Sequence, residues 1–438
     1  MLRTIDLRGQ SLTRDELLRL VPRAAVDTTT AVAQVRPLVD DVRQRGEVAL
    51  REQALRFDGV ADHQLRVPAD RVLDSLRTCP VEVRRALELL IERLRAGSAA
   101  QVPADQVTQL AAGATIRQRW QPVTRVGLYA PGGKAAYPSS VLMNAIAAQA
   151  AGVHSLALAS PAQQDNGGAP HEAVLWAAAL AGVTEVYAIG GAGAIAAFAY
   201  GVPSLDLAAV DVVTGPGNVF VAAAKRAVAG VVGIDSEAGT TEILILADET
   251  ADAGYVAVDL ISQAEHDEAA ASVLVTTAPG LAERVIAEVE TRAPQTRHAE
   301  RVAQALRGPQ SAIILVDDLD MAARVSNAYG PEHLEIQTAE NERVLANIDD
   351  AGAIFLGNYT PVSLGDYLAG SNHVLPTGGT ARFAAGLGAH TFLRPQQVIE
   401  YDRSALAAVY PQLLALADAE GLPAHGEAVS ARFAENAR

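Results

Sequence analysis

Four short stretches hold side chains of the kinds that transfer protons or bind metal ions. GPEHLE sets Glu332 beside His333 just after a Gly-Pro turn, where a short loop can offer a carboxylate and an imidazole to one substrate. Such a pair can act as general acid and base, or can be surface neighbours with no role. QAEHDE lies in a stretch whose apolar Val256, Leu260 and Ala264 share one helix face. At about 100° per residue Gln263 falls at the edge of that stripe and His266 about 60° beyond it. An amide oxygen and an imidazole pointing into one cleft can ligate a divalent cation; the alternative is a polar helix edge. LGDYLAGSNHVLPTGG brackets a Gly-Ser-Asn loop with Asp366 and His373 and is too polar for simple core, and GLPAHGEAV adds Glu420 and His425 on a helix-breaking turn. Asp366, His266, His425 and Gln263 form a sensible oxygen and nitrogen set for zinc, although spacing alone does not bring them together.

Three glycine turns add a second kind of chemistry. EVYAIGGAGAIAAFAYG places Gly191, Gly193 and Ala196 between a strand and a helix, where bare amides at a helix N-terminus can hold a phosphate, and Asp211 follows twenty residues after Gly191. Tight strand-helix packing would leave the same pattern. VGLYAPGGKAAYPSS narrowly fails as a P-loop: Gly133 stands where the lysine is required, and Ala135 follows Lys134 where a hydroxyl would hold Mg²⁺. That excludes an ATPase reading. With TGPGN, ending at Asn218, three such turns on one sheet favour an extended ligand such as a dinucleotide.

These groups need a scaffold, and the chain's texture predicts one. From Arg125, the β-rich runs RVGLYA, SLALAS, EVYAIG and LAAVDVV alternate with Ala-rich helical runs, and ILILAD, ASVLVTT, SAIILVDD and AGAIFLG repeat the pattern. This is the signature of βα units around two largely parallel sheets. The first hundred or so residues read as helical, with a capping box at Thr13 and Glu16 and a helix VEVRRALELLIERLRAG ending at Gly97; after Pro395 the chain reads as helical again. A chain of 438 residues, 50% of them hydrophobic, buries ample surface for two or more compact units without staples. Lys plus Arg at 35 against Asp plus Glu at 51 gives 35 − 51 = −16, which argues against nucleic acid or an anionic membrane as partner. The uncharged stretch from Val186 to Leu205 is broken by glycines and Pro203, so it reads as buried strand, turn and helix rather than a membrane span. A single cysteine, Cys79, allows no intrachain disulfide and reads as a small apolar residue; the first residues show no secretory signal, so a cytoplasmic protein is expected.

Taken in order, YAPGGKAAYPS, TGPGN, QAEHD, GPEHLE, GDYLAGSNHVLPT and GLPAHGEAV closely resemble the histidinol dehydrogenase family over nearly the whole chain. The resemblance implies an α/β fold of two incomplete Rossmann-like domains with small N-terminal and C-terminal helical extensions, in a domain-swapped homodimer. The implied parts are an N-terminal extension over 1–23, a discontinuous core over 24–128 and 242–387, an inserted NAD-binding domain over 129–241, and a C-terminal helical tail over 388–438. It also implies one Zn²⁺ per subunit, held by Gln263, His266, Asp366 and the partner subunit's His425. Glu332 and His333 would be the catalytic pair, and Thr241, His373 and Glu420 would join His333 and the zinc ligands in contacting substrate. Tyr129, Gly193 and Asn218 fall at NAD-contact positions. The implied reaction oxidises L-histidinol through L-histidinaldehyde to L-histidine with two NAD⁺, the last step of histidine biosynthesis.

Two positions depart from the family pattern, which usually has Gln, an NAD contact, at the place of Gly193 and Pro-Ser or Pro-Thr at Thr240-Thr241. Loss of the Pro frees the turn before Thr241. On the histidinol reading zinc orients the substrate's imidazole and amine, His333 accepts the alcohol proton, and Glu332 activates the water that hydrates the aldehyde. A paralogous zinc dehydrogenase acting on another polar alcohol, such as a sulfonated diol, is the neighbouring reading, against which Glu420 and His425 argue. A non-catalytic NAD-binding or sensor protein would be expected to lose some of Glu332, His333, Asp366 and His425, and none is lost.

Overall fold

The structure, a computed structural model, describes residues 2–24, 28–132, 136–237 and 239–434. Runs such as EILILA, ASVLVT and AIIL are apolar on both faces of a strand, so they are stable only where both faces are covered. They form fully buried central strands. The first sheet has six parallel strands in the order Arg3–Asp6, Ala312–Leu315, Ala271–Thr276, Glu242–Ala247, His333–Gln337 and Ala353–Leu356. The second runs Arg66–Val67, Val186–Ala188, Ser155–Ser160, Arg125–Tyr129, Val212–Thr214 and Gly233–Ile234, parallel except at the Arg66–Val67 edge. Apart from the edge strand each receives from the N-terminal region, the two sheets share one order. The earliest strand is central, the next two lie to one side and the last two to the other. Strand order reverses beside the earliest strand, where α/β sheets open a crevice at their carboxyl ends.

The described chain divides into two compact units, Met1–Gln101 with Val123–Phe392, which holds both six-stranded sheets, and Val102–Pro122 with Leu393–Arg438. The second unit is an antiparallel sheet of Leu393–Tyr401, Ala114–Pro122 and Gln106–Ala111, followed by helices Arg403–Ala419 and Pro423–Ser430. Within it the Tyr410 hydroxyl and Ser430 Oγ are 2.7 Å apart and tie the two helices together. The expected all-helical tail therefore opens on a strand. Its polar LRPQQVIEY has no period of its own and is ordered by pairing with Ala114–Pro122.

The N-terminal region also departs from its helical reading. The capping box forms, with Glu16 N–H donating to Thr13 Oγ1 and Thr13 N–H to Glu16 Oε2. Just before it, however, Arg3–Asp6 adds a strand to the first sheet. Helix Val81–Ala100 runs through Gly97 instead of stopping there. A Cβ at Gly97 would stand 2.4 Å from the Gly370 carbonyl oxygen, so this glycine marks a close approach of two backbones. Helices Thr28–Arg45 and Glu47–Gln53 pack on Gly191–Tyr200, and Thr28–Arg45 also on Val219–Val228, so this part of the expected core accompanies the second sheet. Among the described residues no helix is long and apolar enough to cross a membrane, and Val186 to Leu205 forms the expected strand, turn and helix.

One buried ion pair holds a glycine turn in place. Lys225 and Asp235, 2% and 3% exposed, meet at 2.6 Å; Lys225 also donates to the Gly215 carbonyl, while Gly215 N–H donates to Asp235 at 2.8 Å. Breaking one side of such a pair strands a buried charge, at about 3–5 kcal/mol. Lys225→Met is therefore expected to lose stability of that order in urea denaturation, whereas a loss below about 1 kcal/mol would mean the pair is effectively solvated.

Candidate active site

The carboxyl ends of the second sheet's strands and the amino ends of the first sheet's strands face one cavity of about 1620 Å³. On one wall are the turns that follow Tyr129, Ala188 and Thr214, represented by Gly132, Gly191 and Asn218. On the other are Thr241, which precedes strand Glu242–Ala247, and Glu332, which precedes strand His333–Gln337. Those strands are neighbours, with Ile243 opposite His333, so the pairing register itself brings Thr241 to Glu332.

Thr241 Oγ1 donates to Glu332 Oε2 at 2.6 Å, and the Glu242 N–H donates to the same oxygen at 2.9 Å. With its proton committed to the carboxylate, the Thr241 hydroxyl accepts from Gln263 Nε2 at 2.5 Å. That leaves the Gln263 carbonyl oxygen as the atom available to a ligand. Burial pushes the Glu332 carboxyl up to about 8 against the two hydrogen bonds that favour its ionised form, and nearby Asp366 pushes the same way. His333 is not on an open loop, as its Gly-Pro setting suggests, but is the first residue of a buried central strand. Its Nδ1 lies 3.2 Å from the Glu242 carbonyl, an acceptor, so Nδ1 carries the proton and Nε2 the lone pair. Burial lowers the His333 pKa and keeps the ring neutral.

The same tautomer recurs nearby. His266, expected on the helix, lies beyond the end of Ala253–Ala264, and its Nδ1 faces the Ser262 and Gln263 carbonyls at 3.3 Å, again leaving the lone pair on Nε2. His373 has both ring nitrogens engaged: Nδ1 with the Asp366 carbonyl at 3.2 Å and Nε2 with Ser140 Oγ at 2.8 Å. It thereby ties the last turn of helix Val362–Tyr367, which carries Asp366, to helix Pro138–Ala150, and Asn372 reinforces this by donating to the Met143 carbonyl. Asp366 and His266 both line the cavity and both act on the charge of Glu332 and of His373. A Gln263 oxygen, a His266 nitrogen and an Asp366 carboxylate are donors that suit zinc. Among the described residues no three His, Cys, Asp or Glu side chains converge on one metal position. Glu420 and His425 belong to the second unit, as the last-turn cap of Arg403–Ala419 and on helix Pro423–Ser430.

Of the expected NAD contacts, Tyr129 is buried and its hydroxyl accepts from the Gly191 N–H at 3.1 Å, with burial raising its pKa to about 12. Asn218 caps helix Val219–Val228, its Oδ1 accepting from Phe220 and Val221 and its amide nitrogen remaining for a ligand. Gly193 lies in the first turn of Gly191–Tyr200 and lines the cavity. Gly133, Lys134 and Ala135 lie outside the described residues. Asp211 is no partner to the glycine turns: it precedes strand Val212–Thr214, at the end away from them, and accepts from the Thr124 and Arg125 amides. The turn before Thr241 is tied down despite the missing Pro, because Gly239 N–H donates to Thr377 Oγ1 at 2.5 Å.

Sequence spacing did not reveal Glu242. Its carboxylate lies behind His333, accepts from Gly378 N–H at 3.0 Å and Tyr329 hydroxyl at 3.3 Å, and faces Arg23 at 3.5 Å. Burial raises it to about 7, with Arg23 opposing. The signal was a charged residue opening the otherwise apolar run EILILA.

Comparison with known proteins decides the family. The sequence model of histidinol dehydrogenase matches residues 21–433. This chain belongs to the histidinol dehydrogenase family. It is 63% identical over 436 residues to the histidinol dehydrogenase of Leifsonia xyli subsp. xyli, covering 100% of both chains. It is 56% identical to that of Thermobifida fusca, over 98% of this chain and 97% of the relative. The crystal structure of histidinol dehydrogenase from Elizabethkingia anophelis superposes with a TM-score of 0.91 at 31% identity, over 99% of this chain and 98% of the other.

The Thr241 hydroxyl satisfies two buried polar groups of this site at once, and leaving such groups unpaired costs about 1–3 kcal/mol. Thr241→Val is expected to lower the unfolding free energy by that amount, and Thr241→Ser to restore most of it. Equal stability of the valine variant in urea titrations would show that water replaces the hydroxyl.

Proposed function

We propose that this chain is a zinc-dependent histidinol dehydrogenase that oxidises L-histidinol through L-histidinaldehyde to L-histidine with two NAD⁺. The observation that carries the reading is the position of Glu332 and His333 on one cavity wall, with the glycine turns on the other. Family membership supports the substrate. On the same reading the protein is a cytoplasmic, domain-swapped homodimer of two incomplete Rossmann-like domains with small terminal extensions. The implied segments are 1–23, 24–128 with 242–387, 129–241 and 388–438, although strands Arg66–Val67 and Arg125–Tyr129 join the second sheet.

Zinc, when bound, supplies a Lewis acid that orients the substrate's imidazole and amine, and NAD⁺ supplies the hydride acceptor. Gln263, His266 and Asp366 would hold the metal, with the partner subunit's His425 completing the set and one ion in each subunit. Thr241, His373 and Glu420 would meet substrate, His373 also holding the last turn of helix Val362–Tyr367, which carries Asp366, and Tyr129, Gly193 and Asn218 would border NAD. His333 takes the alcohol proton on Nε2 as hydride leaves the carbinol carbon, and its low pKa keeps that nitrogen free to do so. Glu332 then removes a proton from the water that adds to the aldehyde. A carboxyl raised to about 8 is a stronger base, once ionised, than an exposed glutamate. Loss of a second hydride from the hydrate gives the carboxylate, so each histidinol consumes two NAD⁺ and one water.

The test is to supply L-histidinol and NAD⁺ and count products, with two NADH per histidine expected. General acid-base catalysis contributes about 10²–10⁴ in rate, so His333→Asn should slow the first oxidation by that order at unchanged zinc content. Glu332→Gln should fall hardest on turnover begun from histidinaldehyde. Near-zero metal in dialysed protein with full histidinol oxidation would remove zinc from the mechanism, and near-wild-type rates in both variants would remove the acid-base assignment.

A further inference from the structure

Gln53 closes helix Glu47–Gln53 and is only 8% exposed. Its amide nitrogen donates to the Leu38 carbonyl at 3.1 Å, which fixes the sense of the amide. Oε1 accepts no hydrogen bond among the described residues. Instead it stands 2.8 Å from the point that a Cβ on Gly193 would occupy, and both residues line the cavity. Gly193 lies in the first turn of the ten-residue helix Gly191–Tyr200, whose N-terminus opens into the same space. On a residue that lines the cavity and with no protein donor, this oxygen can accept from a ligand that brings a donor. Five residues on, Asp58 also lines the cavity, with Oδ2 3.3 Å from the place of a Cβ on Gly190. Two acceptors on one wall favour hydroxyl groups there over phosphate.

We propose that Gln53 is a cofactor-binding residue of this chain: its Oε1 accepts a hydrogen bond from a ribose hydroxyl of the dinucleotide, across the gap left open by Gly193. The inference rests on the NAD-dependent reading given above. It also makes Gln53 and a side chain at position 193 alternatives. A Cβ at 193 would approach Gln53 Oε1 to 2.8 Å and Leu50 Cδ2 to 3.1 Å, so one amide can occupy the gap comfortably, from either side.

Calorimetric titration of NAD⁺ into the purified protein tests this without turnover, with the NAD⁺-induced rise in melting temperature as a second readout. Gln53→Leu keeps the bulk and removes the acceptor, and is expected to weaken NAD⁺ binding about tenfold, the effect of one lost hydrogen bond. The double variant Gln53→Ala with Gly193→Gln returns an amide to the gap and is expected to recover binding to within about threefold of wild type. Gln53→Met serves the same purpose if the leucine variant does not fold. Binding within twofold of wild type in a folded Gln53→Leu or Gln53→Met variant would overturn the proposal. So would a weakened single variant whose double variant recovers nothing, since Gln53 would then act through packing. A wild-type protein that binds no NAD⁺ would instead overturn the NAD-dependent reading itself.

Discussion

The Thr241 hydroxyl, placed between the Glu332 carboxylate and the Gln263 amide, is the contact on which the site depends. It is made possible by the pairing of two parallel strands, Glu242–Ala247, which Thr241 precedes, and His333–Gln337, which Glu332 precedes. Through that hydroxyl the amide of a helix, the start of one strand and the start of its neighbour become one hydrogen-bonded unit. The Gln263 amide nitrogen is committed to Thr241 as a result, and one oxygen of Glu332 is held by two donors. A slip of one residue in the strand register would flip His333 to the other face and separate all three groups.

Around this junction, the two sheets contribute in opposite senses. The second offers its carboxyl ends, where glycine turns and helix N-termini suit a dinucleotide. The first offers its amino ends, where carboxylates and imidazoles gather. Backbone carbonyls fix the tautomers: His266, His333 and His373 each direct Nδ1 at a carbonyl oxygen. Nε2 thus carries the lone pair at His266 and His333, while at His373 it is engaged with Ser140. Residue type alone does not separate these three roles.

Much of the scaffold was legible because its strands are continuous apolar runs bounded by turns, as in ILILAD and SLALAS. His333–Gln337 was not, because HLEIQ carries a histidine and a glutamate and looks like loop beside Gly330 and Pro331; neighbours on both sides bury it regardless. Arg3–Asp6 and Leu393–Tyr401 were missed for a related reason: edge or half-exposed strands take their order from a partner and have little period of their own. In the site, residue types and motif order singled out Glu332, His333, His266 and Asp366, which the fold brings to one cavity. Glu242, Ser140, Thr377 and Gln53 stayed hidden, since each acts only through a contact with a segment remote in sequence. Asp211 shows the converse, a suggestive spacing whose side chain is used to hold the amides of Thr124 and Arg125.

The central claim is that dinucleotide and acid-base pair meet across the cavity between opposed ends of the two sheets. A crystal structure of the protein with NAD⁺ and histidinol tests it most directly. The account predicts a diphosphate against the glycine turns of the second sheet and a carbinol carbon within about 3–3.5 Å of the nicotinamide, with its oxygen on the side of His333 Nε2. A dinucleotide seated at the carboxyl edge of the first sheet, away from Glu332 and His333, would contradict it.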